Sequence, residues 1–336
     1  MLMPWGHISV DVTSCYTVLG IFYQRVNIYR DLFIFSVPLF SQSITFYMNI
    51  TTTYNLQLLV SLAYFVLTSG ILLVKYVPPL KRLLNYGKTV PDFDSRGNNS
   101  PSSPSTPSEV IDIIAKYAVV RKSWFTHFYI CLFTLSTATY FKACHEAIIG
   151  QSDNEAATFK NLETINKLLL LQGARRMIES FVVTKFSTTS YMNITHYVVG
   201  ISHYVLIALA TYLGLSGSCA GSAVLTIADY MLIAIFGVAS LQQFRAHYHL
   251  AHLVKYSLPK FKLVASPHYL YEVIIYTVIM AFSTKNGINS TSFMFISGWV
   301  FVVTNLSVSA VETYHYYQLK YKEEFDLKWA IFPGIL

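Results

Sequence analysis

The stretch Leu168-Leu-Leu-Leu-Gln-Gly-Ala-Arg-Arg-Met-Ile-Glu-Ser-Phe-Val-Val183 reads as a membrane span that carries three charges, Arg175, Arg176 and Glu179. Ionisable side chains at membrane depth are costly, so they face a bundle interior or a polar cavity rather than lipid. On a helix, Arg175 and Glu179 stand four apart and Arg176 and Glu179 three apart, which places all three close together. The stretch therefore points to an intramembrane reaction or ligand site inside a helical bundle, not to a simple anchor.

The rest of the chain agrees with that reading. Of its 336 residues, 54% are hydrophobic and 12% charged, and the mean hydropathy is +0.45. A soluble domain carries about 25% charged residues. Spans of roughly 20 residues are predicted at 56–74, 124–141, 165–183, 196–213, 223–241, 269–283 and 292–311. The expected fold is all-α: a multi-pass transmembrane helical bundle of about seven spans. Residues 1–55 read as an unassigned extension in which 32–48, interrupted by Pro38, is a candidate further span. Residues 56–336 read as the membrane domain, with a Ser/Pro-rich insert at 91–108 whose composition predicts cytosolic disorder.

Charge sets the orientation. The loop after the first span holds Lys75, Lys81, Arg82, Lys88, Arg96, Lys116, Arg121 and Lys122. The loops after the second, fourth and sixth spans hold only Lys142, Lys160 and Lys285. Basic loops stay in the cytosol, so the C-terminus is expected there, and the sequons at Asn49 and Asn289 fall on the far side. The sequons at Asn98 and Asn193 fall on the cytosolic side, unmodified. The net charge of +7 is accounted for by those loops. No basic cluster with interleaved aromatics marks a nucleic-acid partner. The N-terminus lacks the basic region and apolar core of a cleavable signal. The four cysteines form no CxxC pair and read as small packing residues.

Two polar stretches gather on the cytosolic side. One runs from Gln242 and Gln243 through Arg245, His247, His249 and His252 to Lys262, then into Ser266-Pro-His-Tyr-Leu-Tyr-Glu272. The other runs from Glu312 to Lys328. Cations with hydroxyls and amides suit a phosphorylated ligand such as a dinucleotide. Taken singly, Lys260, Lys262 and Lys322 read as snorkelling interface residues. His247, His249 and His252 read as hydrogen-bonding groups rather than metal ligands, because 247 shares a helical face poorly with the other two. Glu272 reads either as a functional acceptor or as the partner of a loop cation. No Gly-rich dinucleotide fingerprint, phosphate loop or hydrolase motif occurs.

These residues carry a resemblance. The segments Asn85–Thr89, Trp124–Tyr129, Gln172–Glu179, Gln243–His247, Ala251–Pro259, Ser266–Glu272 and Tyr316–Phe325 occur in the order found in the steroid 5-alpha-reductase family. The chain looks most like that family's polyprenol reductase branch over residues 56–336. The resemblance implies a seven-span bundle of the endoplasmic reticulum membrane that holds NADPH on its cytosolic side. It implies reduction of the alpha-isoprene double bond of polyprenol or polyprenal on the route to dolichol, the carrier for N-glycosylation. Polyprenal is the favoured substrate, since conjugation lets oxygen take the developing charge. Arg176, Gln243, His247, Lys255, His268, Glu272, Tyr317 and Lys328 would be the cofactor contacts. His268, Tyr317 and Glu272 are the catalytic candidates, with Arg175 and Glu179 at the substrate. Departures are His268 for a commoner Asn, Gln172 for a common His, Val254 for a common Arg, and Gly173 at the position of the ketone-orienting Tyr of the steroid branch. Competing readings are a steroid or long-chain enoyl reductase of the same family, and a non-enzymatic transporter or scaffold.

Overall fold

Apolar runs that enter hydrocarbon must satisfy their backbone internally, which selects helices. The computed structural model describes residues 50–78, 80, 117–149, 156–187, 190–216, 224–254 and 257–336. Candidate span 32–48, the insert 91–108, the Asn85–Thr89 segment, the sequons at Asn49 and Asn98, and Lys255 lie outside the described residues. Described residues from Thr51 onward fall in one compact unit, Thr51–Leu336.

Seven α-helices occur among the described residues: α1 (Ile50–Tyr76), α2 (Phe125–Ile149), α3 (Ala156–Ile178), α4 (Ile194–Ser216), α5 (Ile227–Ala251), α6 (Pro267–Thr284) and α7 (Ser290–Tyr321). Each overlaps one of the seven predicted spans; α1 and α3 begin earlier than expected, and α2, α5 and α7 run on further. Four of them, α1, α4, α5 and α7, are long and apolar enough to cross a membrane by composition alone. The other three carry inward-facing polar residues: Ser136 and Thr139 on α2, Asn161, Thr164, Asn166 and Gln172 on α3, and Glu272 on α6. These lower the apolar content of helices that line the interior.

Local chemistry sets the helix starts. Thr226 caps α5, its hydroxyl accepting from the Asp229 amide while the Asp229 carboxylate accepts from the Thr226 amide. Asn289 caps α7 in the same reciprocal way with Ser292. Both satisfy amide donors that a helix start leaves orphaned. Pro267 opens α6 in its first turn, where its missing N–H has no intrahelical partner to lose.

α2 packs on α3 and α4, and α6 lies between α5 and α7. α3 also meets α4 and α6, and α7 meets α4. Leu132, Ile165, Leu169, Ile207, Ile275 and Phe301 fill the middle. α1 turns Leu58, Leu59, Leu62 and Phe65 outward, as a lipid-facing helix does. Polar links hold it: Gln57 Nε2 donates to Thr291 Oγ1 at 3.2 Å, and Lys75 pairs with Glu312. One departure from the all-helical expectation is a short antiparallel ribbon, β1 (Val119–Arg121) with β2 (Tyr191–Asn193), in the register Val119↔Asn193. It ties the starts of α2 and α4 together. Asn193 is buried there at 3% exposure, its Oδ1 accepting from the Thr195 amide at 2.9 Å. The tail lies beside the start of α6, where the amides of Ala265 and Ser266 donate to the carbonyls of Trp329 and Ala330 at 2.9 and 3.1 Å. The starts of α2, α4 and α6 and the ends of α3, α5 and α7 thus meet at one end of the bundle.

Candidate active site

Glu179 sits where α3 widens from an α- to a π-helical turn, Glu179–Val183. Such single-turn π segments recur at functional sites. Its carboxylate is 2% exposed and ion-paired to both Arg175 and Arg176. His247 Nδ1, on α5, lies 3.0 Å from the same carboxylate and also faces the Arg176 guanidinium. A bare Nδ1 accepts from Arg176, and a protonated one donates to Glu179. Arg176 further donates to the Tyr129 hydroxyl of α2, with its guanidinium 4.5 Å over that ring.

A second arm is built of amides. Arg175 donates to Gln172 Oε1 at 2.8 Å and to Gln243 Oε1. Those bonds aim both amide nitrogens toward α6. Gln172 Nε2 donates to Glu272 Oε2 at 3.2 Å, and Gln243 Nε2 donates to the same carboxylate and to the His268 carbonyl at 3.2 Å. The chain Glu179–Arg175–Gln243–Glu272 therefore links α3, α5 and α6. Two carboxylates stand against two guanidiniums, which is the compensation that partly buried charges need. Arg175 Nε is buried without a hydrogen-bond partner, a donor available to a ligand.

A third group lies one turn away from the ionic end. His203 of α4 is buried, with Nε2 at 2.9 Å from the Tyr276 hydroxyl of α6 and Nδ1 at 3.3 Å from the Tyr64 hydroxyl of α1. Its neighbour Tyr204 packs edge-on to Tyr129, with centroids 5.9 Å apart. Sequence reading singled out the charged residues and Gln243, gave Gln172 only as a departure from the family pattern, and passed over Tyr64, Tyr129, Tyr204 and Tyr276 as site residues. Hydroxyls inside apolar spans, opposite a mid-span histidine, were the available signal.

The other expected residues are more dispersed. The His268 ring lies 5.5 Å from that of His247 and 4.1 Å from that of Tyr269. Tyr317 is buried on α7 beside Tyr321 and Phe325. Lys328 is exposed on the tail. His249 and His252 turn to different partners: His249 Nε2 accepts from the Lys260 amide at 3.3 Å, and His252 stacks on Tyr248 at 4.1 Å. Among the described residues no His, Cys, Asp and Glu group suits a metal ion. A cleft of about 490 Å³ opens at the same end, between Ser257–Phe261 and Tyr321–Leu327.

Comparison with known proteins places the chain. Residues 190–336 match the family model described as 3-oxo-5-alpha-steroid 4-dehydrogenase. The chain is 31% identical over 260 residues to the polyprenal reductase of Saccharomyces cerevisiae, covering 76% of this chain and 87% of that one. It is 26% identical over 302 residues to the polyprenal reductase of Drosophila melanogaster, covering 78% and 86%. Polyprenal reductase 2 of Oryza sativa subsp. japonica is 28% identical over 330 residues, covering 76% and 89%. By the family model and these relatives, the chain belongs to the steroid 5-alpha-reductase family, in its polyprenol reductase branch.

Proposed function

We propose that the chain reduces the alpha-isoprene double bond of polyprenal with NADPH, in the endoplasmic reticulum membrane, as a step of dolichol synthesis that supports N-glycosylation. The observation that carries this reading is the Gln172–Gln243–Glu272 group beside the Arg175–Arg176–Glu179–His247 cluster. It is a dense set of donors and acceptors inside an otherwise apolar bundle, in a chain similar to polyprenal reductases along three quarters of its length.

The donor set fits the cofactor. Paired amides with a carboxylate complement the carboxamide of a nicotinamide, and Arg175 Nε remains as a further donor. The cleft, of ligand size, is lined by other residues: Phe261, Phe325 and Tyr321 offer stacking surface, and Lys260 stands there with Glu324 and Asp326. Held at the donor set, NADPH would supply the hydride. Gln243 and Glu272 hold and orient the nicotinamide end, and Arg176 and His247 border it. Glu179, with both oxygens engaged, fixes the two arginines. His268 and Tyr317 stand at the same end of the bundle, packed against His247 and Tyr269 and against Tyr321 and Phe325. Lys328, exposed on the tail, would meet a phosphate.

Gly173 favours an isoprenoid over a steroid. A Cβ there would stand 2.9 Å from the Phe133 backbone nitrogen of α2, so the steroid branch's tyrosine has no room at this position. A slender isoprenoid chain whose head alone is polar suits a bundle that is polar at one level and apolar elsewhere. The test is expression in cells that lack a polyprenoid reductase, with polyprenoid and dolichol levels read by mass spectrometry. A restored dolichol pool that disappears in Glu272→Gln supports the reading. Undiminished polyprenoid accumulation despite a folded, membrane-inserted protein overturns it.

A further inference from the structure

Beneath the ionic centre, two buried polar groups are not used by the account so far. Tyr276 follows Glu272 by four residues on α6, so it lies about 6 Å further along the same face. Ser240 precedes Gln243 by three on α5, on the face that Gln243 also uses. α5 and α6 run antiparallel and are joined where Gln243 donates to Glu272. Tyr276 and Ser240 therefore stand one turn deeper at the same level, on neighbouring helices. Tyr276 is 2% exposed and Ser240 is 8% exposed, and the Ser240 hydroxyl has no hydrogen-bond partner. A buried hydroxyl left unpaired is costly, and a ligand oxygen within reach would satisfy it.

Tyr276 is wired so that its proton can turn. In one register Tyr276 donates to His203 Nε2, Nδ1–H donates to Tyr64, and Tyr64 donates to the His203 carbonyl, at 2.9, 3.3 and 3.2 Å. In the other, Tyr64 donates to Nδ1, Nε2–H donates to the Tyr276 oxygen, and the Tyr276 proton is free for a third group. Every ring nitrogen keeps a partner in both registers, because neutral imidazole exchanges its donor and acceptor sides with its tautomer.

From this we infer that Tyr276 and Ser240 form the oxygen subsite of the substrate, and that His203 turns the Tyr276 proton toward it. The inference rests on the polyprenal reading and deepens it. The ligand class is an α,β-unsaturated aldehyde with an apolar tail. As hydride adds to the β-carbon, the alkene electron pair shifts through the α-carbon onto the carbonyl oxygen. Two hydroxyl donors meet that developing charge, and water supplies the proton that finally bonds the α-carbon. Tyr276 and Ser240 touch the substrate, while His203 and Tyr64 act through Tyr276 as positioning residues.

Purified wild type, Tyr276→Phe, Ser240→Ala and Tyr64→Phe are compared for kcat and KM on polyprenal, for NADPH affinity and for thermal stability. Removing one such donor costs about a hundredfold or more in kcat, and that is the expectation for Tyr276→Phe, with NADPH affinity unchanged. Ser240→Ala is expected to lose about tenfold in kcat while its melting temperature stays equal or rises, since an unpaired buried hydroxyl is removed. Tyr64→Phe cuts the α1–α4 link through which His203 is steered but leaves the Tyr276 hydroxyl in place, so its kcat is expected to fall by about tenfold, less than in Tyr276→Phe. Equal kcat in all three variants, or a loss in Tyr64→Phe matching that of Tyr276→Phe, overturns the oxygen subsite. An NADPH-binding wild type that is inert toward polyprenal overturns the function on which the inference rests.

Discussion

Replacing Glu179 by Gln removes one charge from a buried set of four. The carboxylate is 2% exposed and pairs with Arg175 and Arg176, whose side chains are 18% and 13% exposed. Removing one side of a buried ion pair costs about 3–5 kcal/mol. The arginines retain some reach to solvent, and Gln keeps an acceptor, which sets the expectation near about 3 kcal/mol on that scale. That is roughly a hundredfold in the folded-to-unfolded ratio, or roughly 6–12 °C in melting temperature for a large domain. Thermal unfolding of the purified protein in detergent, followed by tryptophan fluorescence, measures it. The charge count supplies an internal check. Arg175→Gln added to Glu179→Gln leaves Arg176 against Glu272, so the double variant should melt above the single one. A single variant that melts with wild type, or a double variant that is additively worse, refutes the view of Glu179 as the counter-charge of this cluster.

The remaining expectations separate chemistry from stability. Glu272→Gln should weaken NADPH binding by about tenfold, the loss of one charge-assisted contact, and lower kcat with little change in melting temperature. Equilibrium binding and turnover on one preparation check this. Gly173→Ala drives a methyl into the α2 backbone at 2.9 Å. It should cost about 1–3 kcal/mol by overpacking, read as a lower melting temperature. Thr226→Ala removes the reciprocal cap of α5 and should cost about 1 kcal/mol without altering kcat, since that end of the bundle is remote from the site.

The helices were legible because apolar length is a strong signal: each predicted span overlaps one of α1 to α7, and four of them, α1, α4, α5 and α7, are long and apolar enough to cross a membrane. The ionic face was legible for the same reason: Arg175, Arg176 and Glu179 stand out against leucines. Pairings between spans were not. Nothing in local sequence says that Gln172 and Gln243, 71 residues apart, converge on Glu272, or that His247 comes to Glu179 rather than to His249 and His252. Those contacts come from tertiary packing of α3, α5 and α6. The tyrosines were passed over because Tyr is common at membrane interfaces, and only burial separates Tyr276 or Tyr64 from an exposed Tyr76 or Tyr230. The β1–β2 ribbon was missed because a three-residue strand has no period to read.

The central claim is tested most directly with the purified protein in lipid, supplied with polyprenal and NADPH, and the product identified by mass spectrometry. The account predicts conversion to the alpha-saturated aldehyde with matching consumption of NADPH, and its loss in Glu272→Gln. Polyprenal recovered unchanged from a folded, NADPH-binding protein that instead reduces a steroid enone would contradict it.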